Sequence, residues 1–205
     1  GIEWFGELCR TTITVTSPLP PLANKDRLFN FELPMAQDPA LVASATNATG
    51  SVFRDSYYSR SGSWSAFVSG TDASIANNSS IYFTLYDLTS APIPIYPNTW
   101  FEYYIKPVAG KEKNVGVDLL LDNNTYLRNA TVIDIDNLPM HPAAAGNRRG
   151  LTTGKYRLVR GHIGAKLAGR SIKAVLAGYD QLPNGTPGNS GFTASIDDIR
   201  IYNEG

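Results

Sequence analysis

Two carboxylates stand side by side near the end of the chain, Asp197 and Asp198 in "SIDDIRIYN". Ile196, Ile199 and Ile201 around them are strand formers, so the pair interrupts a segment that reads as a β-strand. Three chemistries are open to it: solvent-facing charge, a structural metal site, or half of a catalytic couple. Side chains alternate across a regular strand, so Asp197 and Asp198 would point to opposite faces and could not both reach one ion. The carboxylate left over is expected to face solvent or to pair with a cation such as Arg200.

A second polar group lies on or beside strand-like segments: Asp118, Asp122, Arg128, Asp134, Asp136, His141, Asp180 and Gln181. "VGVDLLL" is otherwise apolar, which makes Asp118 a carboxylate within a buried-looking strand. A buried charge needs a partner, and Arg128 or Arg160 can serve. Two readings stay open. Either this is a structural ion pair, or Asp118, Arg128, His141 and Asp180 line a sugar pocket on a concave sheet.

Sugar recognition needs flat rings against C–H faces, and amides, carboxylates or guanidinium groups against hydroxyls. Tyrosine, with 11 copies, is the most informative ring here because it is amphipathic. Tyr57, Tyr58 and Trp64 flank the loop in "SYYSRSGSWS", and Tyr58, Tyr86, Tyr126 and Tyr179 are the rings expected to be exposed. In "TWFEYYIK", Trp100, Glu102 and Tyr104 share one face and Phe101, Tyr103 and Ile105 the other, one of which must be core.

Catalysis finds less support. Asp134 and Asp136 would share a strand face about 7 Å apart, but any D-x-D in a strand gives that spacing. There is no HExxH, Gly-x-Ser-x-Gly or P-loop pattern. The Glu-x-Asp-x-x-Glu of laminarinase-like jelly rolls and the Gln-x-His and Arg-x-Glu-Leu of alginate lyases are also absent. A non-enzyme is expected. His162 alternates with Arg160 and reads as a strand residue with a partner.

Lys plus Arg and Asp plus Glu both total 18, so the formal charge is zero, which disfavours nucleic acid as a partner. No apolar run is long enough for membrane insertion. Cys9 is the only cysteine, which leaves no intrachain disulfide. "GIEWFGELCR" does not read as a signal peptide, and a mature form or an excised fragment is expected. Asn-X-Ser/Thr sequons begin at Asn47, Asn77, Asn78, Asn123, Asn129 and Asn184; the low charge and the Thr, Ser, Asn and Tyr content suit a secreted or cell-surface protein.

These groups must be positioned by short strands, because helical periodicity is nearly absent. Strands are expected at 11–16, 28–33, 64–70, 81–88, 100–106, 115–121, 130–135, 155–163, 171–179 and 194–202, separated by Gly, Pro, Asn and Ser breakers. "IGAKLAGRSI" leaves room for a helical turn before Gly169. Such spacing predicts an all-β fold, an antiparallel β-sandwich of jelly-roll type. Residues 1–25 read as an N-terminal edge strand or linker, and 26–205 as the jelly-roll domain.

"RLFNFEL", then "SYYSRSGSWSAFVSGTD" with its Ser-X-X-Gly-X-X-Ser loop, then "ASIDDIRIY" together resemble the β-jelly-roll carbohydrate-binding modules of bacterial-type glycoside hydrolases. "PNTWFEYYIKP", "VGVDLLLDNNTYLRN" and "HIGAKLAGRSIKAVLAGYDQ" are similar to accessory modules of large glycosidases. The likeness runs from about Arg27 to Tyr202. It implies a structural calcium held by Glu32, the Arg60–Ser63 turn and Asp197, since calcium takes six to eight oxygens from carboxylates, carbonyls and water. It also implies non-catalytic binding of a glycan or polysaccharide, as an accessory module beside a catalytic domain of the same parent chain or as a lectin-like domain. The alternative is a structural or adhesive domain that packs on a parent enzyme and binds no sugar. The sugar-contacting residues expected on chemistry are Tyr58, Trp64, Tyr86, Asp118, Tyr126, Arg128, His141, Tyr179 and Asp180.

Overall fold

The computed structural model describes residues 26–72, 79–110, 114–142, 151–181 and 190–205. The strand expected at 11–16, Cys9, the proposed boundary at residue 25 and the sequons at Asn77, Asn78 and Asn184 fall outside those residues. In chain order the strands are β1 (Arg27–Phe29), β2 (Leu41–Thr46), β3 (Ala48–Asp55), β4 (Ser65–Asp72), β5 (Ser80–Asp87) and β6 (Ile93–Pro94). They continue with β7 (Thr99–Gly110), β8 (Val115–Leu121), β9 (Arg157–Gly161), the short helix α1 (Gly164–Leu167), β10 (Ser171–Asp180) and β11 (Ser190–Asn203).

Two antiparallel sheets face each other, which is the expected β-sandwich of jelly-roll type. One runs β3-β4-β11-β7-β9. β11 is its spine: Ser190 to Ile196 pair with β4, Ile199 to Ile201 pair with β1 on the same edge, and β7 covers the other edge. The second sheet is built on β10, which pairs with β5 and β8 along most of its length and with β6 at its start, while β2 lies outside β5. Residues from the two inner faces make one core, with Val68, Phe101, Ile105 and Ile196 opposite Phe83, Val117, Leu119 and Val175.

An aromatic stack ties the two layers. The Tyr179 ring of β10 lies on the Phe192 ring of β11 at 4.1 Å and 3°. Its hydroxyl donates to Asp72 Oδ2 at 3.0 Å. Tyr179 is fully buried, so the ring expected at the surface is a core ring. The parity of β10 explains this. Every residue from Ala174 to Tyr179 is buried, so the run carries no polar alternation that marks its outer face.

Three local expectations are corrected. No strand forms at 130–135; Asp134 Oδ1 accepts the amides of Asp136 (3.0 Å) and Leu138 (2.9 Å), folding "DIDN" into a turn. Asp134 and Asp136 therefore share no strand face. β1 ends at Phe29 rather than Leu33, because Phe31 adopts φ +63° and turns the chain inward. The strands β2 and β3 were not expected, since "LVASATNATGSVFRD" scatters its Val, Thr and Phe among Ala, Ser and Asn. The helical turn before Gly169 is present as α1, and Gly169 at φ +86° ends it.

Candidate functional site

The outer face of the β10 sheet follows from register. Gly178 sits opposite Tyr82 on β5 and Gly116 on β8, and Leu176 opposite Thr84 and Asp118. Neighbouring positions Tyr179, Phe83 and Val117 are core, so Tyr82, Thr84, Asp118 and Asp180 project the other way. A side chain on Gly178 would run into the Tyr82 ring, at 2.5 Å from Cδ1; the bare glycine lets that ring lie across the sheet. Pro142 packs over the same glycine and over Gly116, which brings His141 to the border of this face.

β8 turns sharply after Leu121. Asn124 has φ +61°, and Asn123 Oδ1 accepts the Thr125 amide (3.2 Å) and hydroxyl (2.7 Å). The chain then returns through a bridge between Leu120 and Tyr126 into a 3-10 turn at Leu127–Asn129. Asn129 Oδ1 accepts the Tyr126 amide at 2.9 Å. This reversal carries Arg128 back onto Asp118. Arg128 Nη1 lies 2.5 Å from Asp118 Oδ2, while Asp118 Oδ1 accepts the amides of Leu119 (2.9 Å) and Arg128 (3.2 Å).

The Arg128 guanidinium lies 3.7 Å from the Tyr126 ring centroid and 4.2 Å from that of Tyr82, a cation–π contact on each. The Tyr82 hydroxyl donates to Asp180 Oδ2 at 2.5 Å. Asp118 is fully buried, and burial holds its carboxyl above the ordinary range although Arg128 pulls it down. Burial also raises Asp180, against the Tyr82 hydrogen bond and the Arg128 charge. It raises the Tyr82 phenol as well, with the Asp180 carboxylate adding to the effect.

Of the nine residues expected to contact sugar, four converge here: Asp118, Tyr126, Arg128 and Asp180. His141 borders them. Tyr86 is at one end of the sandwich, packed on Phe29 (4.5 Å) and Phe31 (5.7 Å). Tyr58 stacks on Phe67 of the opposite sheet, and Trp64 lies under Arg54 at 4.5 Å. Tyr82 was missed, although the alternation of "IYFTLYDL" placed it opposite in parity to Ile81 and Phe83.

The acidic corner is a separate structure. Pairing with β7 slips between Asp197 and Arg200, and Asp198 has φ +47°, so a bulge breaks the alternation. Both carboxylates consequently address one turn. Asp197 Oδ2 accepts the amides of Arg60 (2.7 Å) and Ser61 (3.2 Å), and its Oδ1 accepts that of Asp198 (2.7 Å). Asp198 takes Arg60 Nη1 and the Ser61 hydroxyl, each at 2.5 Å. Arg200 does not join them; it pairs with Asp26 and Glu102. Glu32 Oε1 accepts the amides of Ser63 (2.7 Å) and Trp64 (3.0 Å), and Gly62, at φ +60°, packs directly on that carboxylate. Burial pushes the Asp197 carboxyl up to about 6, against the pull of the three amides.

Glu32 and Asp197, both expected as calcium ligands from the resemblance, each hold the Arg60–Trp64 segment through its backbone amides. Their carboxylate and hydroxyl oxygens suit a hard cation. The amides of the turn occupy the same oxygens, and among the described residues no group of three or more His, Cys, Asp or Glu forms a metal-holding cluster.

No family model matches the chain, and no curated protein matches it. Solved structures share the fold. A β-1,2-glucanase from Parabacteroides distasonis aligns over 88% of this chain and 25% of its own, at 11% identity and TM-score 0.53. The glycoside hydrolase domain of Endo-D from Streptococcus pneumoniae R6 aligns over 78% and 21%, at 13% identity and TM-score 0.49. The CBM22-1 xylan-binding domain from Paenibacillus barcinonensis aligns over 86% and 92%, at 15% identity and TM-score 0.44. The chain spans about a quarter or less of the first two. At these identities the likeness is one of fold alone.

Two measurements follow from the Arg128 cluster. Arg128→Ala strands a buried carboxylate and is expected to lower unfolding stability by about 3–5 kcal/mol, with Asp118→Leu added to it restoring most of the loss in urea denaturation. Asp180 binds its proton more tightly in the folded state than in the unfolded chain. Its contribution is complete below the ordinary carboxylate pKa of about 4 and is lost as pH rises through the raised value. Asp180→Asn should therefore lose less stability than the wild type as pH rises through that window, read from urea midpoints.

Proposed function

We propose that the outer face of the β10 sheet binds a glycan without transforming it. The observation that carries this reading is the Arg128 guanidinium set between the Tyr82 and Tyr126 rings and tied to a fully buried Asp118. Burying a carboxylate in an apolar strand is costly, and the ion pair fixes a side chain that stays partly open to solvent. The Tyr126 ring offers an apolar face for sugar C–H groups, and Arg128 and Asp180 offer donors and an acceptor for hydroxyls. Each carboxylate of the cluster already has a donor of its own, which suits orientation better than acid–base exchange. Weak individual affinity would be multiplied by tethering to a catalytic domain of a parent chain, in a secreted or cell-surface setting.

A second reading has its own support. Leu28 is 53% and Leu33 77% exposed around a cavity of about 290 Å³ lined also by Phe29, Phe31 and Tyr86. That end of the sandwich suits packing on a parent enzyme. The two readings use different surfaces and separate in one experiment. In native gels containing soluble xylan or β-glucan, the wild-type chain is expected to be retarded, and Tyr126→Ala to bind about tenfold more weakly with an unchanged melting temperature. Equal mobility of the two proteins would discard the Arg128 face.

Calcium at the acidic corner is part of the same proposal. Glu32 and Asp197 would supply carboxylate oxygens to it, and its charge would offset the burial of Asp197 and tie β1 to β11. An ion bound only by the folded state stabilises it by mass action, so EDTA is expected to lower the melting temperature and added calcium to restore it. An unchanged melt would leave the turn's amides as the whole of the clamp.

A further inference from the structure

At the end of the sandwich beside Tyr86 the core opens onto the cavity of about 290 Å³. Register says how its wall is built. Arg27 and Phe29 stand opposite Ile201 and Ile199, two core residues, so both side chains turn to the inside of the sandwich. Leu28 alternates outward, and it and Leu33 are the exposed apolar residues of the lining. The Phe29, Phe31 and Tyr86 rings, packed on one another, make its aromatic part.

The lining carries one charge, the Arg27 guanidinium. Among the described residues Arg27 forms no ion pair, and Asp26 next to it is taken by Arg200. An occupant that satisfies this cavity must therefore bring large apolar side chains for the rings and a carboxylate for Arg27.

The chain itself supplies that chemistry. Residues 1–25 lie outside the described residues, and their sequence leads through Asp26 into Arg27 at the cavity wall. They begin "GIEWFGELCR", in which Ile2, Trp4, Phe5 and Leu8 stand among the carboxylates Glu3 and Glu7. Between Leu8 and Arg27 there are 18 residues. Extended, they reach up to roughly 60 Å, far more than a return to Arg27 needs. Tethering also gives such a segment an effective concentration in the millimolar range.

We propose that residues 2–8 of this same chain occupy the cavity, with Trp4 and Phe5 against the rings and their flanking carboxylates near Arg27. The proposal concerns the surface of the second reading above and is independent of the Arg128 face. A parent enzyme would then have to displace the segment, which makes this end of the sandwich a docking surface under competition.

The test uses the full chain and follows Trp4, whose emission is isolated by subtracting the spectrum of Trp4→Phe. In the wild type Trp4 is expected to emit to the blue of a solvated indole and to be shielded from acrylamide. Leu33→Asp places a charge at an exposed position of the lining and leaves the core alone. It should return Trp4 to solvent values and speed trypsin cleavage after Arg10 about tenfold. Arg27→Gln should act in the same direction by a smaller factor. Circular dichroism confirms that each variant is folded. Solvent values for Trp4 in the wild type overturn the proposal, as does shielding that Leu33→Asp leaves intact. Shielding that rises with protein concentration, together with a dimer in sedimentation, also overturns it and gives the cavity to a second copy. None of these outcomes involves Tyr126 or a glycan, so this proposal and the glycan reading fail separately.

Discussion

A carboxylate taken out of water must be met by donors, and in this sandwich that requirement decides where the loops go. Asp72, Asp118, Asp134, Asp197 and Asp198 are all buried. Each gathers a loop or a neighbouring strand. Asp72 takes the hydroxyls of Ser79 and Tyr179, joining the end of β4 to β5 and β10. Asp118 draws the 3-10 turn back onto β8, and Asp134 folds its own segment. Asp197 and Asp198 hold the Arg60–Ser61 turn over β11. The hydrophobic sheets supply the layers, while the aspartates fix what is attached to them.

This division explains what could be read from the sequence. The sandwich was legible because β-branched and aromatic runs between Gly and Pro breakers mark strands directly. That Asp118 needs a cation was legible because a lone charge in "VGVDLLL" demands a partner; Arg128 and Arg160 both stayed open, and the reversal after β8 selects Arg128. "ATVIDI" misled because its β-branched residues suit a strand, yet the Asp134 carboxylate takes local amides and makes a turn. Strands β2 and β3 were hidden for the opposite reason: they are held by pairing with β5 and β4, and their few Val, Thr and Phe are diluted by Ala, Ser and Asn. Strand parity was the other blind spot. It misplaced Tyr179 in a uniformly apolar β10, and at Asp197–Asp198 it assumed a regular strand where a positive φ makes a bulge.

The same physics separates the aromatic groups by task. Tyr103 and Tyr179 are core rings whose hydroxyls find buried acceptors, Met140 O and Asp72. Tyr82 and Tyr126 flank a guanidinium, and Tyr57 and Tyr58 are held from below by Asp55. A phenol can serve in each place because one end of it is apolar and the other polar. Its position is set by whichever carboxylate, amide or carbonyl anchors its neighbourhood.

The pairing of β1 with β11 has a mechanical consequence. Arg27 lies beside Ile201 and the two strands run antiparallel, so tension between the start of β1 and the end of β11 loads their bonds one at a time. Such a load peels a strand open instead of shearing it. The peel would cross only three residue pairs before reaching Glu32, whose carboxylate is bolted to the amides of Ser63 and Trp64. Under force, that corner acts as the stop that keeps the opening of one short edge strand from spreading into the rest of the sheet.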